Sequence, residues 1–362
     1  MKPVVWVKAP SRLLIEFTSR CNLRCVYCHK SQPEAGNGSD LPDDILEKAV
    51  AYAISHPASR ICVNGNGETT LRKNWDYYCD RVLEKNVNLG IITNLSKEFT
   101  DKEFSTLCRF KSIEISCDTA DPALFRKLRR GAELERLLQN MSLIKSAALR
   151  ENHPPPLFSW SCVLSDQNVF NFDDYVLLAM EHGVQSFCLC NLIKHPEVNG
   201  VLSVKHITEL PDDKFIEAAQ IVMETIRILI KSNIKFHGIH GLMQTILRKY
   251  KAMASPNENI TAPGEGLVSA QPQGQTRDCV EPWQNMFIRS NTSVSPCCVI
   301  EKELFLEGNS DIEALFNSEF YMQLRQGLLT GNLCPSCRNC SGAEWMPIEE
   351  YQSKIQRLLL GR

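Results

Sequence analysis

The sequence predicts an α/β protein: an open, partial (β/α)6 barrel followed by a small C-terminal α+β module. Two observations carry this. Six short apolar runs with strand character alternate with helix-period runs over the first 190 or so residues, which argues for a parallel sheet with right-handed crossovers. Six units are fewer than the eight of a closed barrel. Beyond residue 276 the alternation gives way to a hairpin pattern and a second set of cysteines.

The expected strands are Leu13–Thr18, Arg60–Asn64, Asn88–Thr93, Ser112–Ser116, Leu157–Leu164 and Gln185–Asn191. Helices are expected at about 42–55, 75–84, 101–109, 122–128, 134–148 and 172–181. Pro42 with Asp43 and Asp44 marks the first of them, because proline and carboxylates suit a helix N-terminus. His153-Pro-Pro-Pro156 is a rigid extended break. In parallel barrels chemistry collects at the C-terminal strand ends. A cysteine-bearing loop after Thr18, Gly65–Glu68, Asn94, Ser116–Asp118 and Asn191 all fall there.

Residues 1–210 thus form the barrel. A long helix at Asp212–Lys231 and a strand at Asn233–Ile239 follow, then a Pro-, Gly- and polar-rich stretch, Ser255–Gln275, read as a linker or lid; together they make up 211–275. The cysteine module spans 276–345 and a terminal helix 346–362.

With 40 basic and 42 acidic residues, well mixed, nucleic acid is excluded as the main partner. No apolar run reaches transmembrane length and no signal peptide is visible, so no membrane is expected and a cytoplasmic location is. Sixteen cysteines in such a chain are not a disulfide framework. Cys62, Cys79, Cys108, Cys117, Cys162 and Cys188 lie in apolar or helical contexts and read as buried small hydrophobes.

Cys21, Cys25 and Cys28 are spaced C-x3-C-x2-C. Zinc sites usually take four ligands in two separated pairs. Three thiols instead suit a cubane [4Fe–4S] cluster whose fourth iron stays open. The motif resembles the fingerprint of the radical S-adenosylmethionine (SAM) superfamily, in which an aromatic residue, here Tyr27, often precedes the third cysteine. The partial barrel is also the fold this resemblance implies. Gly65-Asn66-Gly67-Glu68 resembles the family's Gly-Gly-Glu segment, with Asn66 for the first Gly and Thr69 for the usual Pro. Gly67 would let the backbone approach the methionyl ammonium, and Glu68 would balance its charge. The resemblance places Tyr27 near the adenine and Asn94, Ser116 and Arg130 where ribose or carboxylate is often contacted.

The second set is Cys279, Cys297-Cys298 and Cys334-Pro-Ser-Cys337-Arg-Asn-Cys340. A hairpin from Asn285 brings Cys279 and Cys297 to one end. A later C-x2-C supplies two more thiolates, enough for a complete [4Fe–4S] site or a structural zinc. The layout resembles the SPASM/Twitch extension of radical SAM enzymes, at Cys279 with Pro282-Trp283, Cys297, the Arg325 segment and Cys337–Cys340. The absence of a cysteine after 340 favours the Twitch-like form with one auxiliary [4Fe–4S] cluster. Cys337/Cys340 is the favoured closing pair and Cys334/Cys337 the alternative.

The resemblance implies reductive cleavage of SAM and hydrogen abstraction from an unactivated carbon by a 5′-deoxyadenosyl radical. It also implies a low-potential electron donor of flavodoxin or ferredoxin type. The favoured substrate is a ribosomally made peptide, undergoing epimerisation, cross-linking or backbone rearrangement. A carbohydrate or aminocyclitol is the alternative, and a cluster-binding protein without catalysis is a third reading. About 12 residues precede the first strand, so a peptide substrate is expected to need either a separate leader-peptide recognition protein or direct docking. An epimerase needs a thiol hydrogen donor, for which Cys298 and Cys190 are candidates. His195, His237 and His240 are possible acid/base groups that the sequence does not tie to the cavity.

Overall fold

The computed structural model describes residues 5–31, 36–192, 204–254, 271–300, 304–340 and 342–360. Most of the proposed lid, 255–270, and His195 lie outside them. The strands are β1 (Arg12–Ile15), β2 (Arg60–Val63), β3 (Asn88–Thr93), β4 (Ser112–Ser116), β5 (Leu157–Leu164), β6 (Ser186–Asn191), β7 (Lys235–His237), β8 (Gln275–Arg277), β9 (Asn285–Ile288), β10 (Val294–Ser295) and β11 (Trp345–Pro347). The helices are α1 (Asp43–Ser55), α2 (Trp75–Leu83), α3 (Asp101–Leu107), α4 (Pro122–Leu128), α5 (Leu134–Arg150), α6 (Phe172–Glu181), α7 (Asp212–Lys231), α8 (Ile239–Ala254), α9 (Glu281–Gln284), α10 (Ile312–Phe316), α11 (Glu319–Thr330), α12 (Pro335–Arg338) and α13 (Ile348–Leu360).

The six expected strands are β1–β6, parallel and in sequence order. The sheet is larger than expected. β7 adds to β6 in parallel, and the hairpin β9–β10 adds to the other side, with β9 parallel to β1. Nine strands result, in the order β10-β9-β1-β2-β3-β4-β5-β6-β7. Glu114 of β4 and His237 of β7 show how far it curls. Flat, they would stand three strand spacings apart, roughly 14 Å; His237 Nε2 is 3.8 Å from Glu114 Oε2.

Burial alternates as a half-covered sheet requires. Ile113 and Ile115, Phe158, Trp160 and Cys162, and Phe187 and Leu189 point outward under the helices and are buried. Ser112, Glu114, Ser116, Ser161, Cys188 and Cys190 face the lumen and are half-buried. Cys79, Cys108, Cys117 and Cys162 are core residues as expected. Cys62 and Cys188 are not: both sit on lumen-facing positions of their strands and are only half-buried.

The C-terminal segment is fastened from below by Arg325, whose side chain is completely buried. Its guanidinium donates to Pro282 O (2.9 Å), Val5 O (2.7 Å), Phe316 O (2.8 Å) and Asn317 Oδ1 (3.0 Å). It also stacks over Phe316. One side chain thereby joins the N-terminal segment, α9, α10 and α11. Arg325→Met keeps the stem and removes a donor from four acceptors, of which Asn317 Oδ1 keeps Val7 N (3.0 Å). The expected cost is on the order of 3 kcal/mol, read as an earlier urea midpoint for the whole chain. An unchanged midpoint contradicts this role.

Candidate active site

Cys21, Cys25 and Cys28 occupy the loop that leaves β1 at the C-terminal end of the sheet. Backbone bonds pin it to the end of α4, from Arg24 N to Arg130 O (2.9 Å) and from Val26 N to Leu128 O (2.9 Å). The loop after β2 presses on it from the other side. Glu68 N donates to Arg20 O (2.8 Å), and a Cβ on Gly67 would stand 2.4 Å from Thr18 O and 2.5 Å from Arg20 O. Only glycine permits that approach.

Three buried carboxylates hold these loops. Glu68 accepts from Thr70 Oγ1 (2.8 Å), Thr93 Oγ1 (2.8 Å) and the backbone N–H groups of Thr70 (3.2 Å) and Asn94 (2.7 Å). Burial raises its pKa and these bonds oppose the rise. The carboxylate expected to face a ligand ammonium is thus engaged in joining the β2 loop to β3. Glu16, at the end of β1, accepts from Asn66 N with one oxygen and from Ser290 N (2.8 Å) with the other.

Asp118, at the end of β4, is the third. It takes the Tyr27 hydroxyl, pairs with Arg129 Nε (2.7 Å), and accepts from Val163 N (2.9 Å). Tyr27 is therefore tied to Asp118, with the Arg129 guanidinium 5.8 Å from its ring centroid. Burial raises the Tyr27 pKa far above the ordinary phenol value. Burial pushes Arg129 down, but Asp118 and then Tyr27 hold it firmly charged.

Asn94 lies against the cysteine loop. Its amide donates to Asn22 Oδ1 (2.9 Å) and approaches Cys21 Sγ at 3.9 Å. The following residue, Leu95, is buried with a φ of +49°, a left-handed conformation that leucine rarely adopts. Ser116 is half-buried on the lumen face in register with Ser161. Arg130 is exposed, and its neighbour Arg129 is the buried cation. Sequence reasoning passed over Arg129 and Glu16. The Arg129-Arg130 pair is ambiguous until the end of α4 decides which one turns inward, and Glu16 looks like any polar residue at a strand end.

The second set converges more completely. Cys279, Cys297, Cys337 and Cys340 line one cavity with Pro282, Pro296, Ile300 and Leu328. Cys334 faces the adjoining groove with Phe320 and Leu333; its hydrogen bond, and then burial, push the Cys337 thiol up. Cys298 is exposed. The ribbon β8–β11 closes this end: Arg277 lies 3.7 Å over the Trp345 ring and donates to Ala343 O (2.9 Å) and Arg338 O (2.6 Å). Tyr351 donates to Cys279 O (2.5 Å).

Both sets fit iron–sulfur ligation. Burial pushes the Cys25 and Cys279 thiols up to about 12 each, so without metal they stay protonated. Thiolates become favourable there only when a metal shares their charge.

The model of the radical SAM superfamily matches residues 15–154, and that of an iron–sulfur cluster-binding domain, SPASM, matches 279–341. The chain carries a radical SAM domain. Its C-terminal module is a SPASM-type auxiliary domain. The family's cofactors are SAM and [4Fe–4S] clusters. Among curated proteins, GTP 3′,8-cyclase of Rhizobium etli is 28% identical over 149 residues, 40% of this chain and 42% of that protein. The enzyme of the same name from Peptoclostridium acidaminophilum is 25% identical over 177 residues, 48% and 52%. The matched region thus spans about half or less of these relatives. Streptococcus suis SuiB bound to S-adenosylmethionine superposes with a TM-score of 0.63 at 16% identity, over 96% of this chain and 75% of that one. For anSMEcpe with bound AdoMet the TM-score is 0.61 at 16% identity, over 97% and 96%. These likenesses confirm the radical SAM fold.

Two substitutions test how the first cysteine loop is held. Gly67→Ala forces the β2 loop away from Thr18 and Arg20, at a cost of about 1–3 kcal/mol, and lowers iron retained at the first site. Asp118→Asn leaves Arg129 buried without its counter-charge, at about 3–5 kcal/mol, with the same effect on iron. Full iron content in both variants contradicts this assignment.

Proposed function

We propose that this chain is a radical SAM enzyme that takes a hydrogen atom from an unactivated carbon of a ribosomally made peptide. The convergence of four thiols on one cavity, in a module whose hairpin shares the barrel's own sheet, carries this reading. Cys21, Cys25 and Cys28 would hold the first cluster; Cys279, Cys297, Cys337 and Cys340 would hold the auxiliary one. A bound cluster with SAM supplies a 5′-deoxyadenosyl radical as the hydrogen-abstracting agent.

The chain's own residues position and shield. Asp118 and Arg129 fix Tyr27 and with it the loop between Cys25 and Cys28. Asn94 and the Leu23 N–H (3.5 Å) approach Cys21 Sγ, a contact that stabilises a ligating thiolate. Gly67 keeps the β2 loop close enough to cover the site. Ser116 faces the lumen, where a bound ligand's hydroxyls would lie. Arg130, exposed, is the weakest of the proposed ligand contacts. Of the two candidate hydrogen donors, Cys190 is lumen-facing at the end of β6, whereas Cys298 is exposed beside the auxiliary thiols.

A peptide is favoured over a sugar because the SuiB fold, which has been seen bound to its precursor peptide SuiA, covers nearly the whole of this chain. The GTP 3′,8-cyclases share only about two-fifths to one-half of it. A low-potential flavodoxin or ferredoxin would deliver electrons.

The test is anaerobic incubation of the cluster-loaded chain with SAM, dithionite and short peptides encoded beside its gene, in deuterated water. 5′-Deoxyadenosine forms, and a peptide gains one deuterium (epimerisation), loses two mass units (cross-linking) or is rearranged. Cys25→Ala abolishes the nucleoside product, and Cys190→Ser suppresses deuterium uptake while the nucleoside still forms. Turnover of an aminocyclitol instead of any peptide overturns the substrate, and absence of 5′-deoxyadenosine overturns the enzyme.

A further inference from the structure

The barrel lumen holds a third donor set, distinct from the two cysteine clusters. Glu114 on β4, Cys188 on β6 and His237 on β7 each offer one ligand atom, and these atoms lie within 4.8 Å of one another. Their placement follows from the strands. Glu114 alternates with the outward-facing Ile113 and Ile115, and Cys188 with the outward-facing Phe187 and Leu189. Cys188 is in register with His237. Gly238, at a φ of +76°, fixes the chain immediately after the histidine: a Cβ there would stand 2.4 Å from Leu189 O.

The Glu114 side chain is half-buried on the lumen face, 22% exposed. His237 Nε2 is 3.8 Å away, too far for a hydrogen bond, so the carboxylate keeps acceptor capacity for a cation. At zinc's usual bond lengths, an oxygen and a nitrogen ligand of one tetrahedron stand roughly 3.3 Å apart, so the 3.8 Å gap between Glu114 and His237 closes by about half an ångström on binding.

We propose that Glu114, Cys188 and His237 bind a divalent cation of zinc's class, with the fourth coordination position open to the lumen. One oxygen, one sulfur and one imidazole nitrogen form a borderline donor set, which suits zinc better than magnesium or calcium. Three protein ligands and an open position are the pattern of reactive rather than structural zinc. That position takes a thiolate, imidazole, carboxylate or water from whatever fills the barrel.

The test uses the full, cluster-loaded chain, incubated anaerobically with zinc chloride and freed of excess by gel filtration. Zinc and iron are then counted by mass spectrometry. About one zinc per chain is retained by the wild type. His237→Ala and Glu114→Gln lower it at least tenfold, while iron is unchanged. No retained zinc in the wild type overturns the proposal, as does equal retention in both variants, which places the zinc at cluster thiols. Should a variant lose iron as well, zinc-edge X-ray absorption of the wild type decides. One sulfur with nitrogen and oxygen neighbours is expected; a shell of four sulfurs overturns the site.

Discussion

The structure depends on β1 being shared. It lies between β2 and β9, so the strand that delivers Cys21 also carries the hairpin that orders Cys279 and Cys297. Glu16 makes the sharing rigid. One carboxylate oxygen holds the β2 loop at Asn66 and the other holds the hairpin at Ser290. Breaking either bond would leave a buried carboxylate oxygen unsatisfied, which costs more than the bond itself contributes. The strand that leads into the first thiol set thus also anchors the hairpin that flanks Cys279 and Cys297.

Around that sheet, charge is buried where the site needs stiffness. Glu16, Glu68 and Asp118 sit at the C-terminal ends of β1, β2 and β4, each almost fully buried. Their partners are backbone N–H groups, hydroxyls and Arg129, drawn from loops distant in sequence. Such networks hold loops in one arrangement when every member is satisfied. The consequence is a cysteine loop positioned before any cofactor arrives, so little ordering remains to be done on binding. The left-handed Leu95 fits the same pattern, a strained residue held where β3 meets the site.

Much of this was legible in the sequence. The six strands could be read because each is a short apolar run, and their ends marked the site because parallel barrels place chemistry there. The thiol sets could be read because spacing limits which metal they suit. The extensions of the sheet could not. β7 and β9 contribute three and four residues, too few for periodicity to say where they pair. Helix α8 was passed over because it follows directly on β7, and the ribbon β8–β11 because its strands are 68 or more residues apart in the chain. Cys188 looked like a core residue because its neighbours Phe187 and Leu189 are; only the curl of the sheet turns it toward Glu114 and His237. The motif marks Glu68, but its four internal hydrogen bonds are visible only once β2 and β3 lie side by side.

The central claim is that one sheet holds two independent cluster sites. Iron content of the anaerobically loaded chain, with Mössbauer spectra, tests it most directly. About eight iron per chain are predicted, all in [4Fe–4S] clusters. Replacing Cys21, Cys25 and Cys28 together by alanine should remove about four, and replacing Cys337 and Cys340 should remove the other four. A wild-type content near four, or loss of all iron on mutating either set, would contradict the account.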